Sequence, residues 1–95
     1  MSKLKDVAKS KNLLLVDVRS NEEYRADHIS EAINIPLDEI DSPKHIYHLQ
    51  NSQRPIVLCC RSGNRSQTAF SKLSGMGLEV YDGGSCVEFY RRNML

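Results

Sequence analysis

Apolar residues come along this chain in short blocks, separated by polar stretches that carry turn and cap signals. Leu13-Leu14-Leu15-Val16-Asp17-Val18 is an apolar run broken only by Asp17, the pattern of a strand buried on both faces. Ser20 follows with Glu23 three residues on, a capping-box pattern that predicts a short helix through about Asp27. Ile33-Asn34-Ile35, just before Pro36, predicts a second short strand, and residues 44–50 a helix. Pro55-Ile56-Val57-Leu58-Cys59 is the clearest strand, with Pro at its first position, where a missing N–H is tolerated. A loop from Cys60 to Arg65 then leads into a helix from about Ser66. Ala69, Phe70, Leu73 and Met76 give that helix an apolar face at three- and four-residue spacing. Gly75 and Gly77 end it. Leu78-Glu79-Val80-Tyr81 predicts the last strand, Gly83-Gly84 a turn, and Val87, Phe89 and Tyr90 a short closing helix. Strands alternating with helices at this spacing predict a compact α/β fold with a mainly parallel sheet flanked by helices on both faces.

A chain of 95 residues makes one domain, residues 1–95, with a core that does without disulfides or metals. The net charge of +1 is not that of a nucleic-acid binder. Residues 1–12 are polar and Lys-rich, with no apolar signal core. No run approaches the ~18 apolar residues that span a bilayer. The expectation is a cytoplasmic protein with no nucleic-acid or membrane partner. The distribution of charge says more than its sum. No Asp or Glu occurs between Ser42 and Leu78, a stretch that holds Lys44, Arg54, Arg61, Arg65 and Lys72. A positive zone there favours anions and thiolates. The cysteines are Cys59, Cys60 and Cys86; an odd count with an adjacent pair is no disulfide framework, and no Cys/His spacing fits zinc. Reduced thiols, no metal and no cofactor are the simplest expectation.

Ligands of open parallel sheets sit beyond the carboxyl ends of the strands, and Cys60 stands at such an end with a helix starting just after it. Backbone N–H groups of a tight turn, joined to a helix N-terminus, form a concave anion site. Gly63 permits the turn, and Arg61 and Arg65 add positive charge. A thiol at the rim of such a cradle has a lowered pKa, and its thiolate is the nucleophile. Cys59, the last apolar position of the strand, is read as a packing residue. His28 is read as a hydrogen-bonded structural residue rather than a general base. Asp17, at a strand end, either braces the loop or is a plain solvated acid; the residues alone leave both open.

The segment Cys60-Arg61-Ser62-Gly63-Asn64-Arg65-Ser66 resembles the active-site loop of rhodanese-homology domains. Leu15-Val16-Asp17-Val18-Arg19 with Glu22-Glu23-Tyr24 and His28-Ile29 resembles a second signature of that family, and Ala32-Ile33-Asn34-Ile35-Pro36-Leu37 a third. Gly83-Gly84 fits the glycine pair after its last strand. The chain departs from the pattern at Asp27 and Glu31, where Gly is usual, and near Glu88 and Phe89, where Trp is common. It also begins too late for the usual first edge strand.

The resemblance implies a sulfurtransferase of the thiosulfate type. Cys60 is then catalytic, taking sulfane sulfur from a small anionic donor as a persulfide and passing it to cyanide or a thiol. Arg61, Ser62, Gly63, Asn64 and Arg65 form the substrate loop, and Asp17 and Arg19 support it. Arg65 is expected to turn inward and hold loop carbonyls or a carboxylate such as Asp17 or Glu23. Two other functions compete: a persulfide relay serving a sulfur-accepting protein, and a Cys-dependent phosphatase. Four residues separate Cys60 from Arg65, one fewer than in the related phosphatases, and the smaller bowl favours sulfur over a phosphoryl group.

Overall fold

The sheet is built around two apolar segments, Leu14–Asp17 and Ile56–Cys60, which carry β-branched or leucine side chains on both faces, flanked by two less buried strands. The computed structural model describes residues 3–9 and 12–95. Its elements run α1 (Lys3–Lys9), β1 (Leu14–Asp17), α2 (Asn21–Ala26), β2 (Ala32–Asn34), a 3₁₀ turn (Leu37–Glu39), α3 (Pro43–Ser52), β3 (Ile56–Cys60), α4 (Asn64–Leu73), β4 (Val80–Ser85) and α5 (Cys86–Asn93). All pairings are parallel, in the order β2-β1-β3-β4. The α/β architecture expected from the sequence is the one observed.

Alternation along β1 and β3 sorts side chains to opposite faces. Val16, Val18, Ile56, Leu58 and Cys60 pack on one face with Leu49 of α3 and Ala69 and Leu73 of α4. Leu15, Val57 and Cys59 pack on the other with Val7 and Ala8 of α1 and Cys86 and Phe89 of α5. All five β3 residues are buried, and each large one stabilises the fold by roughly 1.5–3 kcal/mol. Adjacent cysteines 59 and 60 therefore belong to different halves of the core.

Four details differ from the sequence reading; the first is that Met76, read as part of the apolar face of α4, lies beyond its end at Leu73 and is exposed. Helix α1 was not expected; Val7 and Ala8 bury its inner side, a pattern too short to stand out among lysines. Cys60 is the last residue of β3 rather than the first of the loop. Gly83-Gly84, read as a turn, instead continues β4 through an irregularity: Leu58 pairs with Asp82 but Cys59 pairs with Gly84. A bulge of this kind inserts one residue into one strand. A Cβ on Gly83 would lie 2.6 Å from Val57 Cγ1 and 3.3 Å from Phe89 Cδ1, so only Gly fits. The residues before α2 behave as expected. The Ser20 side chain accepts the Glu23 N–H, and Glu23 returns the bond to the Ser20 N–H.

The expectation of three reduced thiols is corrected. Cys59 and Cys86 form a disulfide, with Cα atoms 4.8 Å apart, and Cys60 alone is free. The bulge sets Cys59 beside Gly84, and the chain then turns into α5 on the face to which Cys59 points. Spacing in the sequence carried no sign of this encounter. Cys59 is also fully buried, so its packing role stands alongside the bond.

Candidate active site

The carboxyl ends of β1, β3 and β4 surround a cavity of about 180 Å³. Arg19, Asp27, His28, Ile29, Cys60 and Arg61 line it, together with Ser85, Cys86 and Val87 at the start of α5. Cys60 reaches this space from the end of the most buried strand and is itself only 1% exposed.

Its sulfur is held by the turn that follows it. The Gly63 N–H donates to Cys60 Sγ at 3.0 Å and the Ser66 N–H at 3.4 Å. Gly63 has φ 98°, a left-handed conformation that favours glycine, and its N–H thereby turns inward. A Cβ here would also approach the Gly84 Cα at 3.6 Å. Burial pushes the Cys60 thiol pKa up. The Ser66 N–H and hydroxyl and the Gly63 and Arg65 N–H groups outweigh it, and the pKa lies below the ordinary thiol value. The outcome is a thiolate-favouring site made almost wholly of backbone.

Ser66, fully buried, ties this cradle to the next strand. Its hydroxyl lies 2.7 Å from Asp82 Oδ1 and 3.1 Å from the Gly63 carbonyl, and Asp82 Oδ1 also accepts the Gly84 N–H at 3.0 Å. One hydroxyl proton serves only one acceptor at a time, so Asp82, the Gly63 carbonyl and Cys60 compete for it.

The Arg65 side chain is bonded to a carboxylate rather than to the sulfur. Its guanidinium donates to both Glu23 oxygens, at 2.7 and 3.0 Å, joining the start of α4 to α2. The Arg65 guanidinium and the Ser20 N–H hold the Glu23 carboxyl far below the usual carboxylate range. Asp17 is not a solvated acid. It is fully buried and accepts the Arg19 N–H at 2.9 Å and the Arg19 guanidinium at 2.9 to 3.1 Å. Arg19 also donates to the Asp27 carbonyl at 2.7 Å, which fixes its charge in the cavity wall. Arg61 is exposed at the cavity mouth, and Ser62 and Asn64 are exposed on the loop. His28 stacks on Tyr24 and its Nδ1 lies 2.7 Å from the Tyr24 carbonyl, so one ring nitrogen is committed to structure while the ring edges the cavity.

This arrangement, a buried thiol in a ring of N–H groups at a strand end, has counterparts. The family model for the rhodanese-like domain matches residues 1–85. The chain belongs to the rhodanese-like family. A rhodanese domain-containing protein of Drosophila melanogaster, CG4456, is 34% identical over 105 aligned positions covering 97% of this chain and 95% of that protein. The adenylyltransferase and sulfurtransferase MOCS3 of Drosophila sechellia is 39% identical over 64 positions, 63% of this chain but 14% of that protein. This rhodanese-like domain thus spans a small fraction of the MOCS3 relatives. Among solved structures, the human single domain sulfurtransferase TSTD1 superposes with a TM-score of 0.69 at 25% identity, covering 98% of this chain and 93% of that one. Homology to sulfurtransferase domains is therefore established for this rhodanese-like chain.

Among the cavity and cradle residues not marked as site residues in the sequence are Ser66 beyond its place in the loop, Asp82, Ser85 and Cys86. Ser66 had a signal, since it closes the segment resembling the family loop. Asp82 and Cys86 had none, because the β4 bulge that brings them in is invisible to periodicity. Among the described residues no helix is long and apolar enough to cross a membrane.

Proposed function

We propose that this rhodanese-like domain is a thiosulfate-type sulfurtransferase with Cys60 as its nucleophile. The observation that carries the reading is the pair of N–H groups, from Gly63 and Ser66, aimed at Cys60 Sγ. The Cys60 thiolate attacks the sulfane sulfur of thiosulfate; the donor S–S bond breaks and sulfite leaves with the bonding pair. The same N–H groups then face the persulfide, as fixed donors do in an oxyanion hole. A thiolate or cyanide attacks the outer sulfur, and Cys60 departs as thiolate. Arg61 at the mouth and Arg19 in the wall supply the positive field for an anionic donor. Ser62 and Asn64 contribute loop backbone, and Arg65 and Asp17 hold Glu23 and Arg19.

Intact mass before and after thiosulfate, with cyanide or a reductant absent, tests this. Protein that gains no sulfur on Cys60, in any redox form, would sink the reading. Cys60→Ser should fold and make no thiocyanate from thiosulfate and cyanide. The likeness to MOCS3 favours a second reading of the same chemistry, in which the acceptor thiol sits on a protein partner. Saturable sulfur transfer to a carrier protein, faster than to small thiols, would support that reading.

A further inference from the structure

The Cys59–Cys86 disulfide lies against the cavity that the mechanism uses, and nothing in the transfer to cyanide or an external thiol needs it. Cys86 lines that cavity together with Cys60. Cys60 pairs across the sheet with Ser85, the residue before Cys86. On its other side Cys86 is bonded to Cys59, whose side chain is shut away in the core. Cys86 thus stands between the nucleophile's cavity and a second thiol that solvent cannot reach.

We infer that Cys86 and Cys59, when reduced, are a built-in acceptor pair that removes sulfur from Cys60 and releases it as sulfide. This rests on the reading of Cys60 as a persulfide carrier. Cys86 thiolate attacks the outer sulfur of the Cys60 persulfide; that S–S bond breaks, Cys60 leaves as thiolate and Cys86 carries the persulfide. The Cys59 thiol then attacks the inner sulfur of the Cys86 persulfide. The Cys59–Cys86 bond forms, the outer sulfur leaves with the bonding pair, and the Cys59 proton goes with it as hydrosulfide. Two thiols are oxidised by two electrons and one sulfane sulfur is reduced. The disulfide in the structure is the product state, and an external dithiol restores the starting one. Alternation along β3 explains why an adjacent cysteine serves as resolving thiol without meeting Cys60 directly: the two point to opposite faces, and Cys86 links them.

The test is a single turnover. Fully reduced protein, freed of reductant, receives one equivalent of thiosulfate, and sulfide, free thiols and disulfide position are measured. Wild type should release close to one equivalent of sulfide with no added thiol, fall from three free thiols to one, and map its bond to Cys59 and Cys86. Cys86→Ser should stop with the extra sulfur on Cys60 and release none. Cys59→Ser should stop with the extra sulfur shared by Cys60 and Cys86. Wild type that keeps its sulfur on Cys60 and all of its thiols would overturn the inference while leaving the proposed function intact. A mapped bond from Cys60 to Cys86, or sulfide release by Cys86→Ser equal to wild type, would overturn it as well. No sulfur on any form defeats both readings together. The wild-type measurement needs no variant, so a poorly folding mutant does not shield the proposal.

Discussion

Arg65 and Glu23, 42 residues apart in the chain, meet through two parallel N–H···O bonds of 2.7 and 3.0 Å. This fork joins the helix that follows Cys60 to the helix that follows β1. Bidentate geometry adds orientation as well as energy, so the pair fixes where α4, and with it the cradle, begins. Arg65→Ala should lower the melting temperature and kcat together, and Arg65→Lys should recover only part of either, since an ammonium cannot grip both oxygens. The Glu23 pKa is depressed in the folded state, so the pair's stabilisation is present above the ordinary carboxylate range. It is lost as pH falls through the depressed value. The melting difference between wild type and Arg65→Ala should therefore be full at neutral pH and shrink in acid. A difference that stays constant down to strongly acid pH would contradict this.

Cys60 should react as a thiolate at lower pH than an ordinary cysteine, because N–H groups and the Ser66 hydroxyl favour its charged form. Alkylation of Cys60 followed against pH should show its half-point below that of a free thiol. Ser66→Ala keeps the N–H but removes the hydroxyl. Its half-point should move upward, with a stability loss of about 1.5–3 kcal/mol from the broken bond to the Asp82 carboxylate. An unmoved half-point would mean that the hydroxyl serves Asp82 alone.

Arg61 is exposed at the cavity mouth and has no ion-pair partner among the described residues. Such a charge steers and binds an anion, and salt screens it over a Debye length of about 8 Å at physiological ionic strength. Arg61→Ala should raise the KM for thiosulfate severalfold with kcat nearly unchanged, the pattern of lost uniform binding. The effect should fade at high salt. A drop in kcat with KM unaltered would place Arg61 at the reacting atoms instead.

Gly83→Ala should destabilise the domain by roughly 1–3 kcal/mol, the usual cost of overpacking a filled core. The new methyl group would meet Val57 at 2.6 Å and the Leu58 carbonyl at 3.1 Å. Chemical denaturation measures it directly, and a neutral result would show that β4 can shift outward.

Most of this architecture was legible because burial on both faces leaves a nearly continuous apolar signature, as in residues 13–18, where only Asp17 interrupts it, and 55–59. The Ser20–Glu23 box marked the start of α2 within a residue, since capping is a local interaction. The loop from Cys60 to Arg65 could be read as an anion cradle from residue types alone. What escaped depends on distant partners. Nothing near Asp17 shows that its carboxylate is sealed under Arg19, and the two readings of it could be separated only in three dimensions. Likewise β4 was cut short at Tyr81, because Gly83 and Gly84 resemble a turn until the crowding of Val57 and Phe89 is seen. The same bulge hid the Cys59–Cys86 bond and the position of Asp82.

The sheet order β2-β1-β3-β4 has a consequence for how the site comes into being. Its two central strands, β1 and β3, pair Asp17 with Cys59, across a long excursion through α2, β2 and α3. Closing so distant a parallel contact must precede any gain from it. The Cys60 loop owes its shape to Gly84, Asp82 and Glu23, none of which is its neighbour in the chain. The contacts that favour a Cys60 thiolate are therefore complete only in the assembled sheet: in an incomplete or misassembled polypeptide, the supports from Asp82, Gly84 and Glu23 are missing.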